Sequence, residues 1–388
     1  MQLSATAATT VHADPVRGRR EQMATRIAFF IAGFGMAAWA PLVPFAKARA
    51  GLDDGVLGLL LLGLGVGSIT TMPLAGALTA RFGCRRIVVV STILAGLALP
   101  LLASVSAAPL LAAVLFIFGA GIGSLDVAMN IQAIIIERES GQRMMSGFHG
   151  LFSLGGIAGA AGVTALLGLG ASPLMASLAA VAGMGLALLA AYPHLLSRAS
   201  KSEGPLFALP RGVVLLIGVF CLIVFMTEGA VLDWSAVFLA SDRGVDPARA
   251  GLGYAAFALM MSLGRLTGDP IVQRFGGTAI IVAGGACAAL GLVLATLVPL
   301  PIAGYVGFAL VGAGCSNIVP VLFSAVGRQT VMAETTAVPA ITTLGYAGIL
   351  AGPAAIGFVA QASSLAAALL ILAGLLIGVA AGGRLMRI

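Results

Sequence analysis

The sequence predicts an all-α membrane protein of twelve transmembrane helices in two pseudo-symmetric six-helix bundles. Three observations predict it. Hydrophobic residues make up 60% of the 388 and charged residues only 9%. A soluble domain carries about 25% charged residues, so this chain cannot cover itself with a solvated surface. Twelve apolar runs have roughly the 20 residues that a helix needs to cross about 30 Å of hydrocarbon. Finally, the second half of the chain repeats the first.

The runs are 26–46, 55–78, 87–104, 108–136, 146–169, 173–196, 212–240, 248–268, 278–298, 303–326, 337–359 and 364–383. Short polar connections such as "KARAGLDD" and "ERESGQRMM" join them. The longest connection, "SRASKSEGPLFALPR" at 197–211, has the Ser, Gly, Pro and charge content of a linker. The expected organisation is a polar tail at 1–25, a bundle at 26–196, the linker at 197–211 and a second bundle at 212–388. The first run leads into a many-span chain without a convincing cleavage site, so it is expected to be retained. The 53 glycines suit helices that approach one another closely in a membrane.

Four matches carry the repeat. "WAPLVPFAKARAGLDDGVLG" from Trp39 pairs with "WSAVFLASDRGVDPARAGLG" from Trp234. "ARFG" with Arg81 pairs with "QRFG" with Arg274, and "GAGIGS" from Gly119 with "GAGCSN" from Gly312. "FSLGGIAG" around Ser153 pairs with "TTLGYAGI" around Thr343. The offsets are 195, 193, 193 and 190, against a half-length of 194. Their order and near-constant spacing describe a duplication.

The net charge of +7 could suggest nucleic acid, but position argues for a membrane. With the spans drawn, 17 of the 21 Lys and Arg fall on or near one side; only Lys47, Arg49, Arg243 and Arg249 fall on the other. The positive-inside rule puts the crowded side, with both termini, in the cytoplasm. The expected location is the bacterial inner membrane, and no nucleic-acid partner is expected. The four cysteines are scattered without metal-ligand spacing and are expected to pack as small residues. No HExxH, CxxC or P-loop pattern occurs, and His149 and His194 are far apart. Neither a metal nor a cofactor is expected, nor an enzyme activity.

The stretch "GALTARFGCRR" (Gly76–Arg86) resembles the loop signature G-x-L-x-D-R-x-G-R-K of the major facilitator superfamily. Ala80 stands where the signature has its acid. The second copy, "GRLTGDPIVQRFGG", keeps an acid at Asp269, four residues after Arg265 and on the same helix face. In that family the loop gates the cytoplasmic side, so the resemblance implies gating roles for Arg81, Gly83, Arg265, Asp269 and Arg274. It implies a latch mainly in the second copy. "GIGSLDVAMN" (Gly121–Asn130) resembles the G-x-G-x-L-E-x-x-x-N stretch of the fucose-permease-like branch, with Asp126 at the glutamate and Asn130 at the asparagine. "FHGLFSLGG" resembles the next helix of that branch, with His149 facing substrate. The branch's first-span acid has no equivalent here. Six plus six helices around a midplane site is how such transporters are built.

Acids embedded in apolar runs carry the chemistry. Asp126 lies roughly 15 Å from the nearer end of its span, near mid-depth, with Asn130 one turn away on the same face. Glu228 lies roughly 24 Å into its span, and Asp233 about 7 Å further out. Five residues turn those two roughly 140° apart, so a regular helix cannot aim both into one cleft. A charged carboxylate at the bilayer centre costs about 2.5–3.5 kcal/mol, a cost that binding a proton removes. Asp126, Glu228 and Asp233 are therefore the expected proton-coupling acids. Asn130, His149 and Asn317 are expected substrate contacts, and Trp39 and Trp234 are expected to stack a sugar ring. The bland readings stand beside these: a structural hydrogen bond for Asp126, a packing role for Glu228, a rim acid for Asp233, a solvated cytoplasmic-end histidine for His149, and interface anchors for the tryptophans.

The expected function is secondary transport by alternating access, as proton-coupled uptake of a small polar solute such as a sugar. The partners are that solute, protons and the bilayer, and the chain is expected to be a monomer. Two alternatives stay open: a proton-driven efflux antiporter and a non-transporting scaffold or sensor. Span 5 lacks the Gly-Pro signature often found in the superfamily's antiporters.

Overall fold

A computed structural model describes residues 15–52, 54–198 and 209–386. The helices are α1 (Pro15–Ala38), α2 (Val43–Ala50), α3 (Asp54–Phe82), α4 (Cys84–Leu102), α5 (Ala108–Ser140), α6 (Met145–Gly168), α7 (Pro173–Ala191) and α8 (Val213–Arg243). They continue as α9 (Pro247–Ala250), α10 (Leu252–Leu266), α11 (Gly268–Phe275), α12 (Gly277–Leu297), α13 (Pro301–Cys315), α14 (Ile318–Val326), α15 (Glu334–Ala362) and α16 (Leu365–Gly383). Among the described residues, eleven segments are long and apolar enough to cross a membrane. The expected eighth span is the shorter apolar helix α10, which α11 prolongs beyond the apolar stretch with Asp269, Gln273 and Arg274. The fold is all-α, with two six-helix bundles.

One boundary differs from expectation. The first helix begins at Pro15, inside the expected tail, because proline fits the first turn of a helix and "VRGRREQMA" contains no further breaker. Most of the expected linker, residues 199–208, lies outside the described residues, as do residues 1–14 of the tail.

The tenth span is broken, and the sequence says why. Pro320 has no N–H, so the Ser316 carbonyl four residues earlier loses its helical donor. The helix stops at Cys315 and resumes at Ile318. In the repeat-related fourth span, Val127 stands at the offset of 193 from Pro320, and α5 runs unbroken for 33 residues.

The four basic residues on the side away from the termini include two clamps. Arg49 donates from Nε to the Val105 carbonyl (3.0 Å) and from Nη2 to the Leu102 carbonyl (2.7 Å), at the end of α4. Arg243 donates to the Ala295 carbonyl at the end of α12 (Nη2, 2.9 Å). Each arginine satisfies carbonyls that a helix C-terminus leaves without donors. The duplication thus preserved a structural device as well as a topology.

Within each bundle, glycines bring backbones together. A Cβ on Gly33 would overlap the Phe152 carbonyl, one on Gly119 the Leu64 carbonyl, one on Gly312 the Phe257 carbonyl, and one on Gly348 the Leu222 carbonyl. These pairs join α1 to α6, α3 to α5, α10 to α13 and α8 to α15. Across the bundles, α3 packs on α15 and α6 on α10. Many of the cross-bundle contacts lie toward the termini side. Gly76 abuts the Thr335 carbonyl and Pro339, Gly150 abuts Leu266, and Gly327 abuts Ile134. The seam is shut on that side.

A polar cluster on the seam between the bundles

Arg265, in the last turn of α10, is only 7% exposed and joins four helices. Its Nη2 meets Glu228 Oε1 of α8 at 3.3 Å. Its Nη1 donates to Ser153 Oγ of α6 at 3.2 Å, across the seam. Its Nε points to the Ser316 carbonyl at 3.4 Å, the oxygen that Pro320 left without a donor. A buried guanidinium is tolerable only when its donors are matched, and the break in the tenth span supplies one acceptor. Asn317 completes the break by donating to the Gly264 carbonyl (2.9 Å) and Ser316 Oγ (3.1 Å), while its Oδ1 is buried without a partner.

The first bundle contributes a different set. Asn130 is buried and donates to the Asp126 carbonyl (2.9 Å) and, more weakly, to Asp126 Oδ1 (3.4 Å). Its own Oδ1 is buried without a partner. Asp126 is half-buried on α5, which packs against α15 of the second bundle. His149 sits between rings of both bundles, 5.2 Å from Phe29 and 5.6 Å from Phe323, with Nδ1 3.0 Å from the Met145 carbonyl. Ser153 Oγ donates to the His149 carbonyl (3.3 Å), linking this histidine's turn to Arg265.

The cluster therefore gathers Asp126, Asn130, His149, Glu228 and Asn317 of the expected residues along the seam, and adds Arg265 and Ser153. Three expectations are corrected. Arg265 pairs with Glu228 and not with Asp269: α11 prolongs the helix past Leu266, which draws Arg265 inward from the gate. Glu228 accordingly carries a counter-ion. Trp39 is 4% exposed in the apolar packing of the first bundle, with Nε1 buried and unpartnered, so it offers no face to a solute. Asp233 is exposed and lies outside the cluster, as the turn between it and Glu228 requires. Trp234 is half-buried and donates from Nε1 to the Pro353 carbonyl (3.1 Å), within its own bundle.

The gate residues divide similarly. Asp269 Oδ2 accepts the Gly147 N–H (3.0 Å) in the first turn of α6, across the seam. An acid there complements the positive end of the helix. Burial pushes the Asp269 carboxyl up to about 6, Glu137 adds to the rise, and the Gly147 bond works against it. Arg81 and Arg274 are exposed, each over the ring of the following phenylalanine. Gly83 has φ +84 and would overlap the Ser197 carbonyl if it had a Cβ. The first-copy loop thus docks on its own bundle: Arg85 donates to Leu195 and Pro193, and its N–H to Leu196.

A signal for the missed contact was present in the sequence. Proline four residues after a serine, inside an apolar run, frees a carbonyl at mid-depth, and a buried arginine on a neighbouring span is the natural donor to it.

Comparison with known proteins bears on the fold and the family. Residues 26–328 match the family model of the Major Facilitator Superfamily. An uncharacterized MFS-type transporter of Yersinia pestis is 54% identical over 378 residues, covering 97% of this chain and 98% of that protein. The membrane protein MosC of Rhizobium meliloti is 33% identical, covering 93% and 88%. Among solved structures, FucP in its outward conformation superposes with TM-score 0.78 at 18% identity, over 94% of this chain and 98% of that one. The proton:xylose symporter XylE gives TM-score 0.78 at 12% identity, over 96% of each. A duplicated twelve-span fold, a polar seam and a family match over most of the length make this chain a transporter of the Major Facilitator Superfamily.

Proposed function

We propose that the chain imports a small polar solute, such as a sugar or sugar derivative, together with protons. The observation that carries this reading is the pairing of unlike groups across one seam: the Asp126 carboxylate in one bundle, the Glu228–Arg265 pair in the other. Among the described residues no cation pairs with Asp126, which meets the Asn130 amide, so a proton is its simplest route to neutrality when the seam closes around it. Glu228 is held by Arg265. A solute hydroxyl that draws Arg265 away leaves Glu228 to take a proton, so solute and proton binding favour each other. Arg265 also ties the two bundles at Ser153, so engaging it loosens the seam. Asn130, His149 and Asn317 are the solute's other polar contacts. The sugar–proton symport named for XylE, and for FucP as the fucose:proton symporter of E. coli, supports the reading.

The termini lie in the cytoplasm of an inner-membrane protein on this reading, with the bundles at 26–196 and 212–388 and a linker between. Setting aside Arg265, now a seam residue, 16 basic residues against four still favour that orientation. In proteoliposomes with an imposed proton gradient, screened first with fucose and xylose, we expect gradient-driven accumulation of one solute class. Asp126→Asn should abolish accumulation yet retain counterflow exchange. Coupled uptake that is unchanged in that variant would remove Asp126 from the mechanism, and solute driven the other way would make this an antiporter.

A further inference from the structure

A cavity of about 290 Å³ that carries several charged side chains opens on the termini side of the seam and is distinct from the central cluster. One wall is the end of α5 and the loop to α6, with Glu137, Arg138, Gln142 and Arg143. The other is the end of α14, with Ser324 and Arg328. Gly327 presses against Ile134 at its floor, so the cavity exists only while the two bundles meet there.

The charges inside do not balance. Glu137 spends one oxygen on the first turn of α6, where Oε2 accepts the Met144 and Met145 N–H groups at 2.9 Å each. Arg138 is paired with Glu334 across the seam. Arg143 and Arg328 remain, one on each bundle, with no carboxylate at ion-pair distance among the described residues. Arg328 is exposed at the cavity mouth and has a long bond from Nε to its own helix at Ser324 (3.4 Å). Arg143 Nη1 is buried without any hydrogen-bond partner. The Arg143 charge repels that of Arg328, and Glu137 offsets part of the repulsion. A buried donor left unmatched is destabilising, and like charges add to that.

We propose that this cavity binds a phosphate-type oxyanion between Arg143 and Arg328, and that the bound anion holds the termini side shut. Arginine forks match such oxyanions in geometry and charge. The two arginines belong to different bundles, so the site forms only when that face is closed. By linkage an anion that binds only there stabilises closure. The source is either free phosphate or the phosphate of a lipid headgroup. The inference needs alternating access but not proton coupling.

The test uses the purified full chain, delipidated in detergent, with no transport step. Inorganic phosphate should raise the melting temperature more than chloride at matched ionic strength, as a ligand of the folded state does. Arg143→Gln and Arg328→Gln should each weaken the apparent affinity at least about tenfold. Nanodiscs of phosphatidylcholine with and without phosphatidic acid separate the sources: if the lipid phosphate fills the site, free phosphate loses its effect only when phosphatidic acid is present. Hydrogen exchange at residues 141–147 and 327–333 should slow with the anion bound. Equal responses to phosphate and chloride, or a phosphate response that survives both substitutions, would overturn the site. Binding without slowed exchange would overturn the closure.

Discussion

The two repeat-related seams of this transporter meet through different chemistry. Arg265 and Met72 stand at the offset of 193, and Ser153 and Thr343 at 190. On one seam Arg265 reaches Ser153 at 3.2 Å; on the other Thr343 Oγ1 lies 3.8 Å from the Met72 sulfur. Duplication placed equivalent side chains in equivalent contact, and divergence made one contact a charged hydrogen bond and the other a soft thioether touch. The acids are divided as well. Asp126 has Val319 at its offset, and Glu228 has Gly33. A pseudo-symmetric frame therefore carries an asymmetric site: the first copy supplies the lone carboxylate, and the second supplies the ion pair and the broken helix.

Substitutions that erase this difference should have the largest effects. Arg265→Gln makes the polar seam resemble its neutral counterpart. It strands Glu228 and the Ser316 carbonyl, and breaking a buried pair costs about 3–5 kcal/mol. We expect uptake to fall at least about a hundredfold and the melting temperature to drop; near-normal uptake would show that the two seams are interchangeable. Pro320→Ala returns a donor to Ser316 and brings the tenth span closer to the continuous fourth. The restored helical bond should raise stability by about 1 kcal/mol and slow uptake severalfold by releasing Arg265. An unchanged melting temperature and rate would mean that the break has no part in holding the arginine.

The gates sharpen the same comparison at smaller scale. The second-copy loop reaches across the seam through Asp269, whereas Ala80 leaves the first-copy loop without an acid, and there Glu334 at the start of α15 meets Arg138. With the termini side shut, Asp269 binds its proton with a pKa of about 6, against 3.8 for an exposed aspartate. The shut form therefore holds the proton more tightly. Acidification from about pH 6 to pH 4 should favour it, and above pH 6 the effect is absent. Hydrogen exchange in the first turn of α6 should slow over that interval in the wild type and stay flat in Asp269→Asn. An identical pH response in the variant would assign the proton to another group. Arg138 is half exposed, so Glu334→Gln should shift stability by no more than about 1 kcal/mol. A larger loss, read by thermal denaturation, would make the two gates equal partners.

The architecture was largely legible in the sequence, because apolar runs and a repeat at nearly constant offset are one-dimensional signals. Asp126, Asn130 and Glu228 stood out for the same reason, as polar residues inside apolar runs. Arg265 was misplaced because depth was counted from the edge of an apolar run, and α11 carries the helix beyond that edge. Its partners were hidden because Glu228, Ser153 and Ser316 are distant in sequence and meet only through the packing of α8, α6 and the broken span. Trp39 misled for a related reason. Composition favours an aromatic residue near the membrane surface but does not say whether its ring faces a cleft or the interior of its own bundle.

The glycine crossings inside each bundle have a mechanical consequence. Where backbone lies on backbone at Gly33, Gly119, Gly312 and Gly348, there is no slack for helices to slide past one another. Each six-helix unit then behaves as a stiff lever: a small push at its middle arrives undiminished as a wide swing at its ends.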